Sequence, residues 1–276
     1  MIQLGNFNTL EILRSTSVGL FLGDDEGTEI LLPNKYVPDP IEIGDKLNVF
    51  CYLDSSERPV STTLTPYIIR DKFAFLEVAE LSTYGAFLDW GLEKHLLVPF
   101  REQRLNMEKG KKYVVYCYLD EKSFRLAASN KLDKFLKNEN ITKKVNDKVS
   151  LLISRKTDLG WEAIIDDKHK GLLFFNDVFT ELNIGDSLTG YIKNIREDKK
   201  IDLSLLPIGQ KMLEPTAQFI LEKIKAEDGF LALHDKSSPE EIKEKLQLSK
   251  KAFKKGVGTL YKERKIKIEP NGISLV

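Results

Sequence analysis

The sequence predicts a mainly β chain with an α/β C-terminal unit, in which three small barrels in tandem precede a compact helical domain. Two observations carry this expectation. Gly19, Gly85 and Gly160 each open a hydrophobic segment, and Gly44, Gly110 and Gly185 each follow 25 residues later, so both sets are spaced by 66 and then 75 residues. Beyond Gly209 the hydrophobic period lengthens from that of a strand to that of a helix. Other landmarks obey the same offsets: Pro33 maps to Pro99 and Phe174, Asp54 to Asp120, Arg125 to Lys200 and Ser129 to Ser204. A spacing held over a whole unit means repetition of one domain.

The second copy displays its elements most plainly. Residues 75–80 read as a first strand and 84–89 as a second, with a turn at Trp90-Gly91. Residues 95–99 make a third, 113–119 a fourth after Gly110, and 124–129 a fifth. Five short strands with glycine at the bends predict a closed or nearly closed barrel. The copies span 1–66, 67–130 and 145–208, each near the lower size limit for a domain that folds alone. Between the last two lies 131–144, rich in Lys and Asn, where the spacing of Leu132, Phe135 and Leu136 predicts a short linker helix.

Strand alternation divides the side chains of each copy. If Ala86 and Leu88 fill the second barrel, Phe87 stands outside, and Leu20, Leu22 and Phe21 repeat that pattern in the first. An outward phenyl ring either packs on a neighbouring segment or meets a partner. Cys51 and Cys117, also 66 residues apart, are expected to fill the same core slot of two different barrels as small hydrophobes.

The C-terminal unit, 212–276, follows a different plan. Pro215 opens a helix whose Ala217, Ile220, Leu221 and Ile224 share one face, and residues 229–233 make a short strand. Ser238-Pro239-Glu240-Glu241 is a capping-box start for a second helix. Ser249 caps a third, with Ala252, Phe253, Leu260 and Tyr261 expected to face inward. A hairpin around Pro270-Asn271-Gly272 completes the order of a winged helix, a helix-turn-helix variant. Residues 249–268 hold eight basic side chains against one acid, Glu263. Lys250, Lys251, Lys254, Lys255, Lys262 and Arg264 are therefore candidate phosphate contacts, although a solvated face or a protein dock would use the same residues.

Formal charge is zero, with 42 basic and 42 acidic residues, but it is graded: residues 1–70 carry −5 and residues 209–276 carry +4. Such asymmetry points to nucleic-acid contact near the C-terminal end. No phosphate-binding loop or dinucleotide glycine fingerprint occurs. His95, His169 and His234 are scattered, and no Cys/His group has zinc spacing. The expectation is a protein without catalysis, metal or cofactor. With no apolar run long enough for a bilayer and no signal-like N-terminus, it reads as cytoplasmic and without membrane contact.

The second copy resembles the S1-type RNA-binding domain, a five-stranded OB-fold barrel. The matching residues are Tyr84 to Leu88, Leu97-Val98, Gly110, and Arg125 to Ser129. That resemblance implies that Tyr84, Phe87 and Arg125 face RNA. Phe21 is its counterpart in the acidic first copy, where Val18 replaces Tyr84. In the third copy Glu162 replaces Phe87 and Leu159 replaces Tyr84, leaving Phe174 as a displaced ring or a core residue, with Lys193 and Lys200 supplying charge. Three S1-type barrels followed by a winged helix resemble, over essentially the full length, the bacterial conserved virulence factor B (CvfB) and YitL-like family. The most specific segments are residues 84–98 and 248–255, continuing to 260–262. The resemblance implies an RNA-binding, post-transcriptional regulator, and outward rings on which bases can stack point to single strands. The alternative is a DNA-binding transcription regulator with the barrels as protein docks.

Overall fold

The structure, a computed structural model, describes residues 1–178, 180–207, 215–234 and 236–276. The start of the C-terminal unit expected at 212 lies outside the described residues. The chain divides into two compact units, Met1–Pro207 and Ile208–Val276.

Three barrels build the first unit. In the first, β1 (Phe7–Thr16), β2 (Gly19–Gly23), β3 (Glu29–Pro33), β4 (Lys46–Leu53) and β5 (Pro59–Thr62) close in the order β1-β2-β3-β5-β4. The second holds β6 (Phe73–Leu81), β7 (Gly85–Asp89), β8 (Leu96–Pro99), β9 (Lys112–Leu119) and β10 (Leu126–Ser129) in the order β10-β9-β6-β7-β8. Its end strands lie beside each other, so it is nearly closed. The third closes β11 (Lys148–Lys156), β12 (Gly160–Ile165), β13 (His169–Phe174), β14 (Ser187–Ile195) and β15 (Ile201–Ser204) as β11-β12-β13-β15-β14. The expected fifth strand of the second barrel starts two residues late, because Phe124 adopts a left-handed φ of 54° and turns outward.

Repetition reaches the irregularities of the backbone. Each first strand bulges at the same place, between Ile12 and Arg14, Val78 and Glu80, and Ile153 and Arg155. A bulge bends a long strand so that it can pair around a barrel. The two glycine sets have separate causes. A Cβ on Gly19, Gly85 or Gly160 would lie 2.1, 2.1 or 2.0 Å from the carbonyl oxygen of Leu32, Val98 or Leu173. Gly44, Gly110 and Gly185 take φ values of 95°, 78° and 95°, the left-handed turn that opens each fourth strand.

The alternation holds. Leu20, Leu22, Ala86 and Leu88 are buried, while Phe21 and Phe87 remain half-buried on the outer faces. Cys51 and Cys117 are free and lie in the cores of the first and second barrels. Burial pushes each thiol up to about 12.

The barrels pack into one body. Phe50, Tyr52 and Val60 of the first join the core of the second, where Trp90 meets Phe50 edge-on at 5.7 Å and Tyr52 at 6.2 Å. Between the second and third, Phe73, Val114, Leu136 and Ile164 form a buried cluster. The expected linker helix is absent among the described residues; only a 3₁₀ turn, Leu132–Lys134, forms. The reason is tertiary. Phe135 stacks on Tyr116 at 4.1 Å, and Asn138 donates to the Lys170 carbonyl at 2.8 Å while accepting from its N–H at 2.9 Å. The segment is spent joining two barrels, so its apolar residues do not share one helical face.

In the second unit, α1 (Pro215–Ala226), β16 (Phe230–Leu231), α2 (Pro239–Leu246), α3 (Lys250–Lys262), β17 (Ile266–Glu269) and β18 (Gly272–Leu275) follow the winged-helix order, with sheet order β16-β18-β17. The capping box forms as read: Glu241 N–H donates to Ser238 Oγ at 3.1 Å and Ser238 N–H to Glu241 Oε2 at 2.8 Å. Ser249 Oγ accepts from Ala252 N–H at 3.2 Å. Phe253, Val257 and Leu260 turn the buried face of α3 toward Ile220 and Ile224. Tyr261, expected inside, is exposed because it stands about 100° around the helix from Leu260. Gly256 serves the close approach of α1, since a Cβ there would lie 2.7 Å from Ile220 Cδ1.

Candidate nucleic-acid interface

The outer face of the second barrel gathers three of the residues singled out from sequence. Tyr84, Phe87 and Arg125 line one groove of about 390 Å³. Tyr84 sits in the turn before β7, where its N–H donates to Ser82 Oγ at 3.1 Å, and its side chain is 73% exposed. Phe87 lies on β7 opposite Leu97 of β8 and Glu80 of β6. Pro99, His95, Arg101 and Tyr118 complete the wall from the second barrel, and Tyr52, Leu53, Ser55 and Glu57 come from the first. Glu57 pairs with Arg125 across the groove. Lys94 Nζ donates to the Asp54 carbonyl at 2.7 Å, and burial, followed by Arg125, lowers its pKa below the usual lysine range. Burial also raises the Tyr118 hydroxyl.

Phe100 is a further exposed ring, outside the lining of this groove, that sequence reasoning did not single out. Its N–H donates to the Tyr84 carbonyl at 3.3 Å, and its side chain is 52% exposed. The signal lay in the repeat, since Phe175 holds the same position in the third copy and makes the same bond to Leu159.

The third barrel has no ring at the Phe87 position. Glu162 stands there, bonded to Arg155 at 2.7 Å, with Lys170 at 3.9 Å and Asp133 beyond it. Phe174 is half-buried, with the Arg196 guanidinium 5.7 Å from its ring centre. Lys193 and Lys200 are exposed but paired, with Asp177 at 2.6 Å and Asp198 at 2.8 Å. Instead, Trp161 and Phe175 meet edge-to-face at 6.4 Å, and Lys156 Nζ lies 5.4 and 5.6 Å from their centres. These three residues line a hollow of about 430 Å³ with Val178 and Leu182. Repeat arithmetic reaches Phe175 but not Trp161, which occupies the place of Ala86.

In the first barrel Phe21 is covered. The Arg14 guanidinium lies 3.9 Å over its ring, and Glu29 holds Arg14 at 2.6 Å. The residue beside it is Val18, so the ring pair is incomplete.

On the winged helix, Lys251, Lys254, Lys255 and Lys262 form an exposed stripe opposite the buried face of α3. Lys250 is half-buried at the helix start. Arg264, at a left-handed φ of 55°, joins Tyr261, Lys262 and Lys267 around a hollow of about 480 Å³. Lys251, Lys254, Lys262 and Arg264 have no acidic partner within 4.0 Å among the described residues. No group of three or more His, Cys, Asp or Glu that could hold a metal occurs among the described residues.

Barrels and winged helix together define a class, that of multi-barrel S1 proteins ending in a winged helix. Residues 4–64 match the S1 domain family and residues 218–275 the CvfB-like winged helix domain. The S1 match thus falls on the acidic first barrel, whereas the sequence resemblance is carried by the second. Both are families of nucleic-acid-binding domains and not of catalytic ones. The chain is 31% identical over 269 residues to the uncharacterized protein YitL of Bacillus subtilis, covering 94% of this chain and 89% of that protein. It is 27% identical over 281 residues to conserved virulence factor B of Staphylococcus epidermidis, covering 99% and 94%. A solved multidomain protein with nucleic acid binding domains from Streptococcus pneumoniae is 27% identical, with coverage of 99% and 98% and a TM-score of 0.45. This chain belongs to the conserved virulence factor B and YitL family.

Proposed function

We propose that the protein is a non-catalytic RNA-binding regulator that acts after transcription in the bacterial cytoplasm and prefers single strands. The observation that carries this reading is the convergence of Tyr84, Phe87 and Arg125 on one open groove. Every base has a π-face, and stacking one on an aromatic side chain contributes about 1–3 kcal/mol. A duplex hides those faces, so a platform of rings favours unpaired nucleotides. One groove of this size offers a platform for only one or two bases, which gives weak binding by itself. The Trp161–Phe175–Lys156 cluster of the third barrel supplies a second platform with its own cation. The lysine stripe of α3 adds phosphate contacts that carry little sequence information. Linked sites raise one another's effective concentration and so lift the overall affinity.

A second reading, duplex DNA held by the winged helix, is favoured by one observation: α3 presents Lys251, Lys254 and Lys262 without acidic partners among the described residues. Competition between single-stranded RNA and duplex DNA of equal length, measured at two salt concentrations, separates the two. Preferential displacement by RNA supports the first reading. Preferential displacement by duplex DNA overturns it.

A further inference from the structure

The groove of the second barrel contains a feature that works against its use. Its wall from the first barrel is the end of β4, Tyr52 and Leu53, together with Ser55 and Glu57 of the β4–β5 loop, whose turn Glu57 closes through its N–H to the Asp54 carbonyl. Asp54 builds the loop: its Oδ1 accepts from Ser56 N–H at 2.8 Å and Arg58 N–H at 2.9 Å, and its Oδ2 binds the Arg58 guanidinium at 2.8 Å. Glu57 then takes a left-handed φ of 64°, and its carboxylate reaches the Arg125 guanidinium. The loop is held in place by more than its own bonds. Lys94 Nζ donates to the Asp54 carbonyl, Lys35 pairs with Glu93, and the buried Phe50–Tyr52–Trp90 cluster fixes the two barrels to each other. The first barrel therefore presents a carboxylate at a fixed point of a groove that belongs chemically to the second.

We infer that Glu57 is an intramolecular stand-in for an RNA phosphate, so that a ligand entering the groove must displace its carboxylate from Arg125. This rests on the groove being the RNA site proposed above. The chemistry is that of exchange between two anions on one guanidinium. Both partners are about half-exposed, so the pair is screened and its strength is that of a surface ion pair. The contact therefore weakens RNA binding by a small factor and leaves it reversible. It also makes the first barrel a participant in the site even though its own ring, Phe21, lies beneath Arg14. An acidic domain that would repel RNA by itself is in this way put to use as an affinity brake.

The test uses the full-length protein and a labelled single-stranded oligouridylate, titrated at several salt concentrations. Glu57→Gln removes the charge, and Glu57→Gly removes the carboxylate at a backbone position that glycine accepts readily. Both are expected to bind about two- to five-fold more tightly, the span set by an exposed ion pair. The dependence of log K on log salt should change by well under the ~0.7 of a whole phosphate contact, because a ligand that displaces Glu57 makes the Arg125 contact in the wild type as well. The tighter binding should not appear in an Arg125→Ala background. Unchanged or weaker binding in both Glu57 variants overturns the inference. If Tyr84→Ala still weakens binding in that case, the groove reading survives and only the brake is lost. If Tyr84→Ala also has no effect, the groove reading fails as well.

Discussion

Glu162 occupies on β12 the place that Phe87 holds on β7, and the Arg155 guanidinium fixes its carboxylate at 2.7 Å. Where the second barrel has a half-buried ring, the third has an ion-pair network with Lys170 and Asp133. The same barrel carries Trp161 and Phe175 at its end, where the second barrel has Ala86 and Phe100. The copies share a backbone and divide the surface chemistry between them.

The first prediction concerns the second barrel. Replacing both Tyr84 and Phe87 by Ala removes two rings that are exposed or half-buried, so thermal stability should change little. Affinity for single-stranded RNA should fall at least tenfold, given about 1–3 kcal/mol for each stacked base. Fluorescence anisotropy beside a melting curve checks both halves. Unchanged affinity would remove these rings from the site.

The second prediction uses the division of labour in the third barrel. Phe175→Ala should weaken RNA binding by about 1 kcal/mol or more, whereas Glu162→Gln should leave affinity within about twofold, since it alters a paired face with no ring. The reverse ranking would mean that RNA lies across β12.

The barrel count was legible because it is written in backbone requirements. A glycine demanded by a carbonyl 2.1 Å away, or by a φ near 90°, must recur wherever the fold recurs, and so leaves a periodic mark. Phe87 was readable because strand alternation turns it outward, whereas Tyr84, in the turn before β7, is pointed to only by the S1 resemblance. What stayed hidden depends on contacts between distant segments. Leu132, Phe135 and Leu136 have helical spacing, yet they are shared between two barrels and form a strap. Glu57 shows no special pattern in its own repeat, because its role comes from Arg125, 68 residues later in the chain. Trp161 defied the repeat by placing a large ring where the arithmetic expected a core alanine.

A third prediction follows from the first glycine set. Gly85→Ala would drive a methyl group against the Val98 carbonyl oxygen, which belongs to the backbone of β8 and cannot swing aside. The cost should be about 3 kcal/mol or more, from overlap together with a strained backbone. Gly258→Ala is the control, because nothing lies within 4 Å of its Cβ position and alanine favours a helix. Chemical denaturation should therefore lower the midpoint for the first variant and hold or raise it for the second.

The fourth concerns the thiols. Burial raises Cys51 and Cys117 to about 12 in the folded protein, above the ordinary thiol value they regain on unfolding. Their contribution to stability is fully present below the unfolded pKa. It declines as pH rises from there to about 12, because the unfolded state releases its protons first. Each thiol should contribute a slope approaching ~1.4 kcal/mol per pH unit in that window. Cys51→Ala with Cys117→Ala should flatten that alkaline slope while lowering stability at neutral pH through the lost packing. A native protein that reacts rapidly with a thiol reagent at pH 8 would contradict the burial on which this rests.

The fifth prediction tests the winged helix and distinguishes its ligand. Lys251, Lys254 and Lys262 share one exposed face of α3, opposite Phe253, Val257 and Leu260, and have no acidic partner among the described residues. Their removal should therefore leave the fold intact and act through charge alone. Each lysine that neutralises a phosphate releases counterions, by about 0.7 of a unit in the salt slope on a single strand and about 0.9 on duplex DNA. The triple alanine variant should then flatten the slope by about 2 for single-stranded RNA if all three contacts form. Loss of affinity should be similar for unrelated sequences, since phosphate contacts do not read bases. An unchanged slope with RNA, combined with a flatter one on duplex DNA, would assign this helix to DNA and leave RNA to the barrels.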